Sequence, residues 1–117
     1  MKFVEYPRCS TCKKARKWLE ENGLEFEVRH IVDAPLAADE IKALHGQSGY
    51  PIKKFFNTSG AKYRELGLKD KLAHMSDEEC YQLLSTDGML VKRPLAYHGA
   101  LVTLGFKESE FKDAWTA

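Results

Sequence analysis

The sequence predicts an α/β domain with a mixed sheet, in the order β-α-β, a block of helices, then β-β-α. Three observations carry this expectation. Two extended runs flank an amphipathic helix between Lys2 and Ile31, the size of a βαβ unit of about thirty residues. From about residue 35 to 86 the apolar spacing is helical throughout, which predicts a helical insert. The stretch "MLVKRPLAYHGALVTLGF" then holds two extended runs around a His98-Gly99 turn, the pattern of a hairpin, and a last helical segment follows.

Taken in order, Lys2–Tyr6 reads as a strand because Phe3, Val4 and Tyr6 favour extended backbone, and Pro7 ends it. The first helix is expected to start near Ser10 or Thr11, either of which can cap it, and to stop at Asn22-Gly23. Cys12, Ala15, Trp18, Leu19 and Asn22 share one side and form its inward stripe. "LEFEVRHI" alternates apolar and charged residues as a half-buried strand does. Helices follow over Ala38–Ser48, with Asp39 and Glu40 in the favourable first turn, over Ile52–Phe56 and over about Ala61–Leu66. Ser76 and Glu79 form an S-x-x-E capping box ahead of Cys80, Leu83 and Leu84, and Asp87-Gly88 ends that helix. Glu108–Trp115 reads as a closing helix that buries Phe111, Ala114 and Trp115. Nothing in 1–117 resembles a repeat or a linker, so one domain is expected.

Composition narrows the function classes. A hydrophobic fraction of 44% and a charged fraction of 30% are ordinary for a globular chain of 117 residues. No apolar run reaches the length of a membrane span, and the N-terminus lacks the apolar core and cleavage site of a secretory signal. The cytoplasm is therefore the expected compartment, with no membrane partner. A formal net charge of +1 argues against direct nucleic-acid binding by bulk electrostatics. The charge is uneven, however. Lys2, Arg8, Lys13, Lys14, Arg16 and Lys17 face only Glu5, Glu20 and Glu21 within the first 23 residues, around Cys9 and Cys12.

Those two cysteines, in "YPRCSTCKKARKWLEENG", admit three readings: a redox pair, half of a metal site, or two inert buried thiols. Position at a strand–helix junction has a physical consequence that spacing alone lacks. A sulfur at the first turn faces unpaired amide N–H groups, whose partial positive charge favours thiolate. Lys13 and Arg16 lie on the helical face of Cys9 and would add to that field, so Cys9 is expected to be the nucleophile. Cys12, one turn further on, is placed to resolve a mixed disulfide. A zinc site needs four ligands, and Cys80 with His30, His45, His74 and His98 offers no metal-binding spacing. Cys80 forms an apolar set with Leu83 and Leu84, so it reads as core, and none of the histidines has a predicted partner. Glu5 could accept a proton from Cys12 if buried, but reads as a surface residue of an edge strand. Pro94, taken alone, reads as an ordinary edge proline.

Taken together, "CSTCKKARKWLEENGLEFEVRHI", "IKKFFNTSGAKYRELGLKDKL", "DGMLVKRPL" and "VTLGFKESEF" resemble the arsenate reductase ArsC/Spx/MgsR family, in its small C-x-x-C branch, over essentially the whole chain. The resemblance implies a thioredoxin-like fold with a helical insert and a cis bond at Pro94 beside the cysteine loop. It implies an oxidoreductase acting on thiols or disulfides, with no bound cofactor and an external thiol donor such as glutathione or thioredoxin. The family's glutathione-dependent arsenate reductases place a His before the cysteine, an Arg after it and three arginines elsewhere. Here Cys9 matches the cysteine, Glu5 and Lys13 stand at the His and Arg positions, Asn57 replaces the first arginine, Arg93 is kept, and Lys107 stands at the last. Arg93, Lys13, Asn57 and Lys107 are thus the expected substrate-binding residues, on a thiol- or disulfide-bearing protein or small molecule. The Spx-like regulators share the C-x-x-C and dock on the RNA polymerase α-subunit. They usually continue past the last helix with a basic tail, whereas this sequence closes on "FKDAWTA", which ranks that partner second.

Overall fold

The computed structural model describes residues 1–116; Ala117, the last residue of the expected domain, lies outside the described residues. Strand β1 (Lys2–Glu5) runs through the interior of a four-stranded sheet with β2 (Glu27–His30), β3 (Leu95–His98) and β4 (Leu101–Leu104), in the order β2-β1-β3-β4. β1 pairs parallel with β2, Phe3 opposite Val28, across the helix α1 (Ser10–Glu21). It pairs antiparallel with β3, Phe3 opposite Ala96, and β3 pairs antiparallel with β4. The sheet is mixed, as the order of elements predicts.

Alternation along the strands sends side chains into two cores. Phe3 and Ala96 point to one face, where they pack with Ala15, Trp18, Leu19 and Phe111 from α1 and the last helix, α6 (Glu108–Trp115). Val4 and Leu95 point to the other, against the helices that lie between β2 and β3: α2 (Ala38–Ser48), α3 (Ala61–Glu65), α4 (Leu68–Lys71) and α5 (Asp77–Thr86). Each fully buried Leu or Phe contributes about 1.5–3 kcal/mol, so the two cores clamp the sheet from both sides. Trp115 Nε1 donates to Thr103 Oγ1 at 3.3 Å and holds α6 onto β4.

The expected capping box is formed: Ser76 Oγ accepts the Glu79 N–H at 3.2 Å and Glu79 Oε1 accepts the Ser76 N–H at 3.1 Å. Cys80 is buried, as expected. Several expectations need correction. The first helix is capped by Cys9 rather than by Ser10 or Thr11, and Asn22 is exposed, its amide bonded back to the Trp18 carbonyl. β2 is an edge strand, and Val28 is 50% exposed instead of alternating inward. What holds β2 to the insert is polar: Arg29 donates to the carbonyls of Ala34 and Pro35 and pairs with Glu40. Ile52–Phe55 forms a single 3₁₀ turn, and two further turns at Leu72–His74 and Gly88–Leu90 join α4 as elements with no periodic signal. Ala114 and Trp115 are half-buried. His45 does have a partner, since its Nδ1 lies 2.6 Å from Tyr81 Oη across the α2–α5 contact.

Glu5 is the most consequential correction. β1 is flanked on both sides, so Glu5 is 6% exposed, and its carboxylate pairs with Arg16 of α1.

Candidate active site

The loop between β1 and α1 places Cys9 at the N-cap of α1, with extended backbone (φ −82°, ψ 115°). Its N–H bonds to the Tyr6 carbonyl at 3.0 Å and its carbonyl accepts the Lys13 N–H at 3.1 Å, which fixes the loop from both ends. The Cys9 sulfur takes the place of the usual capping oxygen and accepts the Cys12 N–H at 3.2 Å. Cys9 is half-exposed, whereas Cys12 is fully buried; neither is in a disulfide. Burial, and then the hydrogen bond with Cys9, push the Cys12 thiol up to about 12, against smaller opposing effects of the Tyr6 backbone and the Arg93 charge. The two sulfurs are thus chemically unequal: one faces solvent at a helix N-terminus, the other is held as a thiol behind it.

Cys9 opens onto a cavity of about 310 Å³. Three other residues singled out from the sequence, Asn57, Arg93 and Lys107, line the same cavity. Asn57 is anchored by its N–H to the Leu90 carbonyl at 2.7 Å, and Lys107 is the N-cap residue of α6. Arg93 precedes the cis peptide bond to Pro94, which is buried. Pro94 in turn accepts the Gly105 N–H at 2.8 Å, tying the end of β4 to this segment. The Arg93 guanidinium lies 5.2 Å above the Tyr6 ring, and its Nη1 donates to the carbonyls of Met89 and Val91 at 3.3 and 3.2 Å.

Lys13 lies elsewhere. It lines a separate depression of about 340 Å³ with Glu5 and Arg16, and it is not among the residues around the Cys9 cavity. Arg16 is likewise committed to Glu5. The cavity instead recruits Lys54 and Lys92, which sequence reasoning missed. Lys92 stands next to Arg93 in "VKRPL", and that adjacency was the one available signal. Lys54 had none, because in "IKKFF" it reads as an ordinary exposed face. Glu110 is the one carboxylate among the lining residues. Among the described residues no group of His, Cys, Asp or Glu side chains could hold a metal ion, and no helix is long and apolar enough to cross a membrane.

A mixed sheet between two helical layers, with a C-x-x-C at the start of α1 and a cis bond between Arg93, which lines the Cys9 cavity, and Pro94, defines a thioredoxin-like α/β protein. The chain belongs to the ArsC family, whose model matches residues 4–114. It is 57% identical over 113 residues to the uncharacterized protein YusI of Bacillus subtilis (strain 168), covering 97% of this chain and 96% of that one. A crystal structure of an ArsC family related protein from Bacteroides fragilis superposes with a TM-score of 0.93 at 50% identity, covering 97% and 95% of the two chains. The global transcriptional regulator Spx of Bacillus subtilis (strain 168) is 28% identical over 106 residues, which cover 91% of this chain and 79% of Spx.

Proposed function

We propose that this protein is a cytoplasmic thiol–disulfide redox protein in which Cys9 is the nucleophile and Cys12 the resolving cysteine. The observation that carries the reading is the inequality of the two sulfurs. Cys9 is accessible, sits at the N-cap of α1 and receives the Cys12 N–H, while Cys12 is buried one turn behind it. Attack by the Cys9 thiolate on a disulfide sulfur releases one thiol and leaves a mixed disulfide. Cys12 then gives up its proton, attacks the Cys9 sulfur and releases the second thiol. Arg93 and Lys107 supply positive charge where sulfur anions develop. An external thiol donor of the glutathione or thioredoxin class returns the Cys9–Cys12 disulfide to the dithiol. The test is mass spectrometry of mixed disulfides trapped on a Cys12→Ser variant. Adducts on Cys9 support the reading, and adducts spread over Cys9 and Cys80 alike contradict it.

Two other readings each have an observation in their favour. Arg93 and Lys107 beside Cys9 favour an oxyanion, so arsenate is a second candidate substrate; Asn57, and Lys13 outside the cavity, weigh against it. Arsenate turnover with a thiol donor, lost in Cys9→Ser and Arg93→Ala, would promote it. The likeness to Spx favours a redox-switched transcription adaptor. That reading requires binding to the RNA polymerase α-subunit that changes between the dithiol and disulfide forms, measured by pull-down.

A further inference from the structure

We infer that the cavity beside Cys9 is a binding pocket for a small anionic disulfide, with Lys54 and Lys92 holding its negative group. This rests on the redox reading above and adds what the cysteines act upon.

Lys54, Lys92, Arg93 and Lys107 reach the cavity from three separate parts of the chain: the 3₁₀ turn Ile52–Phe55, the segment before β3, and the start of α6. None of the four is in an ion pair among the described residues. Other cations of this protein do find carboxylates, as in Lys2–Glu27, Arg29–Glu40 and Lys42–Glu78. Like charges have therefore been gathered where mutual repulsion opposes folding, and Glu110 alone offsets them.

Two of these cations, Lys54 and Arg93, are held by neutral groups. Lys54 Nζ sits 4.0 Å from the centre of the Tyr50 ring. Arg93 lies on the Tyr6 ring and donates to two carbonyls, while its Nε is buried without an acceptor. Lys92 lies across Gly105, where a Cβ would come within 3.2 Å of Lys92 Cε. Gly105 has φ +77°, a left-handed conformation that leaves that space open at no steric cost. A ring face or a carbonyl fixes the place of a cation without cancelling its charge as a carboxylate would. The charge stays available to a ligand. At about 310 Å³ the cavity is at the small end of ligand pockets, which fits a small molecule.

With Cys9 in its wall, the reacting atom of that ligand is a sulfur. The Cys9 thiolate attacks one sulfur of R–S–S–R, the S–S bond breaks, and one RS⁻ leaves and takes a proton from water. The other R group remains on Cys9 with its anionic end on the lysines. Cys12 loses its proton to water and attacks the Cys9 sulfur, and the second RS⁻ departs and is protonated. The substrate gains two electrons and becomes two thiols, and the protein dithiol loses two electrons and becomes the Cys9–Cys12 disulfide.

The experiment compares 3,3′-dithiodipropionate, 2-hydroxyethyl disulfide and cystamine, which carry two carboxylates, no charge and two ammonium groups. The rate of Cys9–Cys12 disulfide formation with each is divided by its rate with dithiothreitol, to remove intrinsic reactivity. The normalised rate for the dianion is expected to exceed that of the neutral compound by about tenfold at low salt, and that of cystamine by more. In Lys54→Gln/Lys92→Gln the anionic-to-neutral ratio should fall close to one, whereas Lys69→Gln, on α4, should keep the wild-type ratio. Equal normalised rates for the three compounds, or an unchanged ratio in the double variant, overturn the inference while leaving the redox reading intact. Failure of all three to form a Cys9–Cys12 disulfide overturns the redox reading and this inference with it.

Discussion

One wall of the Cys9 cavity is contiguous in sequence, formed by the N-cap Cys9 and by Thr11 in the first turn of α1. The opposite wall gathers Lys54 and Asn57 from the insert, Lys92 and Arg93 from the segment before β3, and Lys107 from the start of α6. The first owes its geometry to helix capping, a matter of a few residues and short hydrogen bonds. The second exists only when both cores are packed, because its members meet across distant parts of the chain. Reactivity should therefore be set by the local wall, and selectivity by the assembled one.

The sharpest way to break this division is Cys9→Ser. It should abolish disulfide formation altogether, and titration of free thiols after mild oxidation should show Cys12 and Cys80 unconsumed. Next in size is Glu5→Ala, which strands Arg16, whose Nε already lacks an acceptor. Because Arg16 is 39% exposed, the cost should lie between those of surface and buried pairs, at about 2 kcal/mol, read as a lower urea midpoint. Retention of wild-type stability would show that the pair does not help join β1 to α1.

A smaller effect follows from pH. Burial, then the Cys9 hydrogen bond, raise the folded Cys12 thiol to about 12 from its ordinary 9.0. Below pH 9 both folded and unfolded chains keep the proton, so the contribution to stability is fully present. Above it the unfolded chain ionises first, and stability falls as pH rises toward 12, by at most about 1.4 kcal/mol per pH unit. Cys12→Ser should lack that decline, which urea unfolding at pH 8 and pH 10 would reveal. Smallest is Ser76→Ala, which removes one side of the capping box on α5 and should cost about 1 kcal/mol. Its Cys9 alkylation rate should match the wild type, since α5 does not reach the cavity; a changed rate would show that the insert controls the local wall too.

The same contrast explains what could be read from the sequence. Elements with their own signals were legible: the inward stripe Cys12–Ala15–Trp18–Leu19, the Ser76–Glu79 box and the span Glu108–Trp115. The short turns at Leu68–Lys71, Leu72–His74 and Gly88–Leu90 were not, because three or four residues carry no period. Val28 and Glu5 were misjudged for one reason. Which strand is interior and which is edge depends on pairing order, and an alternating pattern does not report it. Lys13 is expected at the site from its helical face and its place at the family's Arg position, yet it lines another depression, while Lys54 and Lys92 arrive by folding.

The central claim is that Cys9 and Cys12 form a working redox pair. Equilibration of the protein in graded glutathione and thioredoxin redox buffers, followed by peptide mass mapping, tests it most directly. The account predicts a single reversible transition in which a Cys9–Cys12 disulfide forms and Cys80 stays reduced. A protein that keeps both thiols free across the whole range, or joins Cys9 to Cys80, would contradict it.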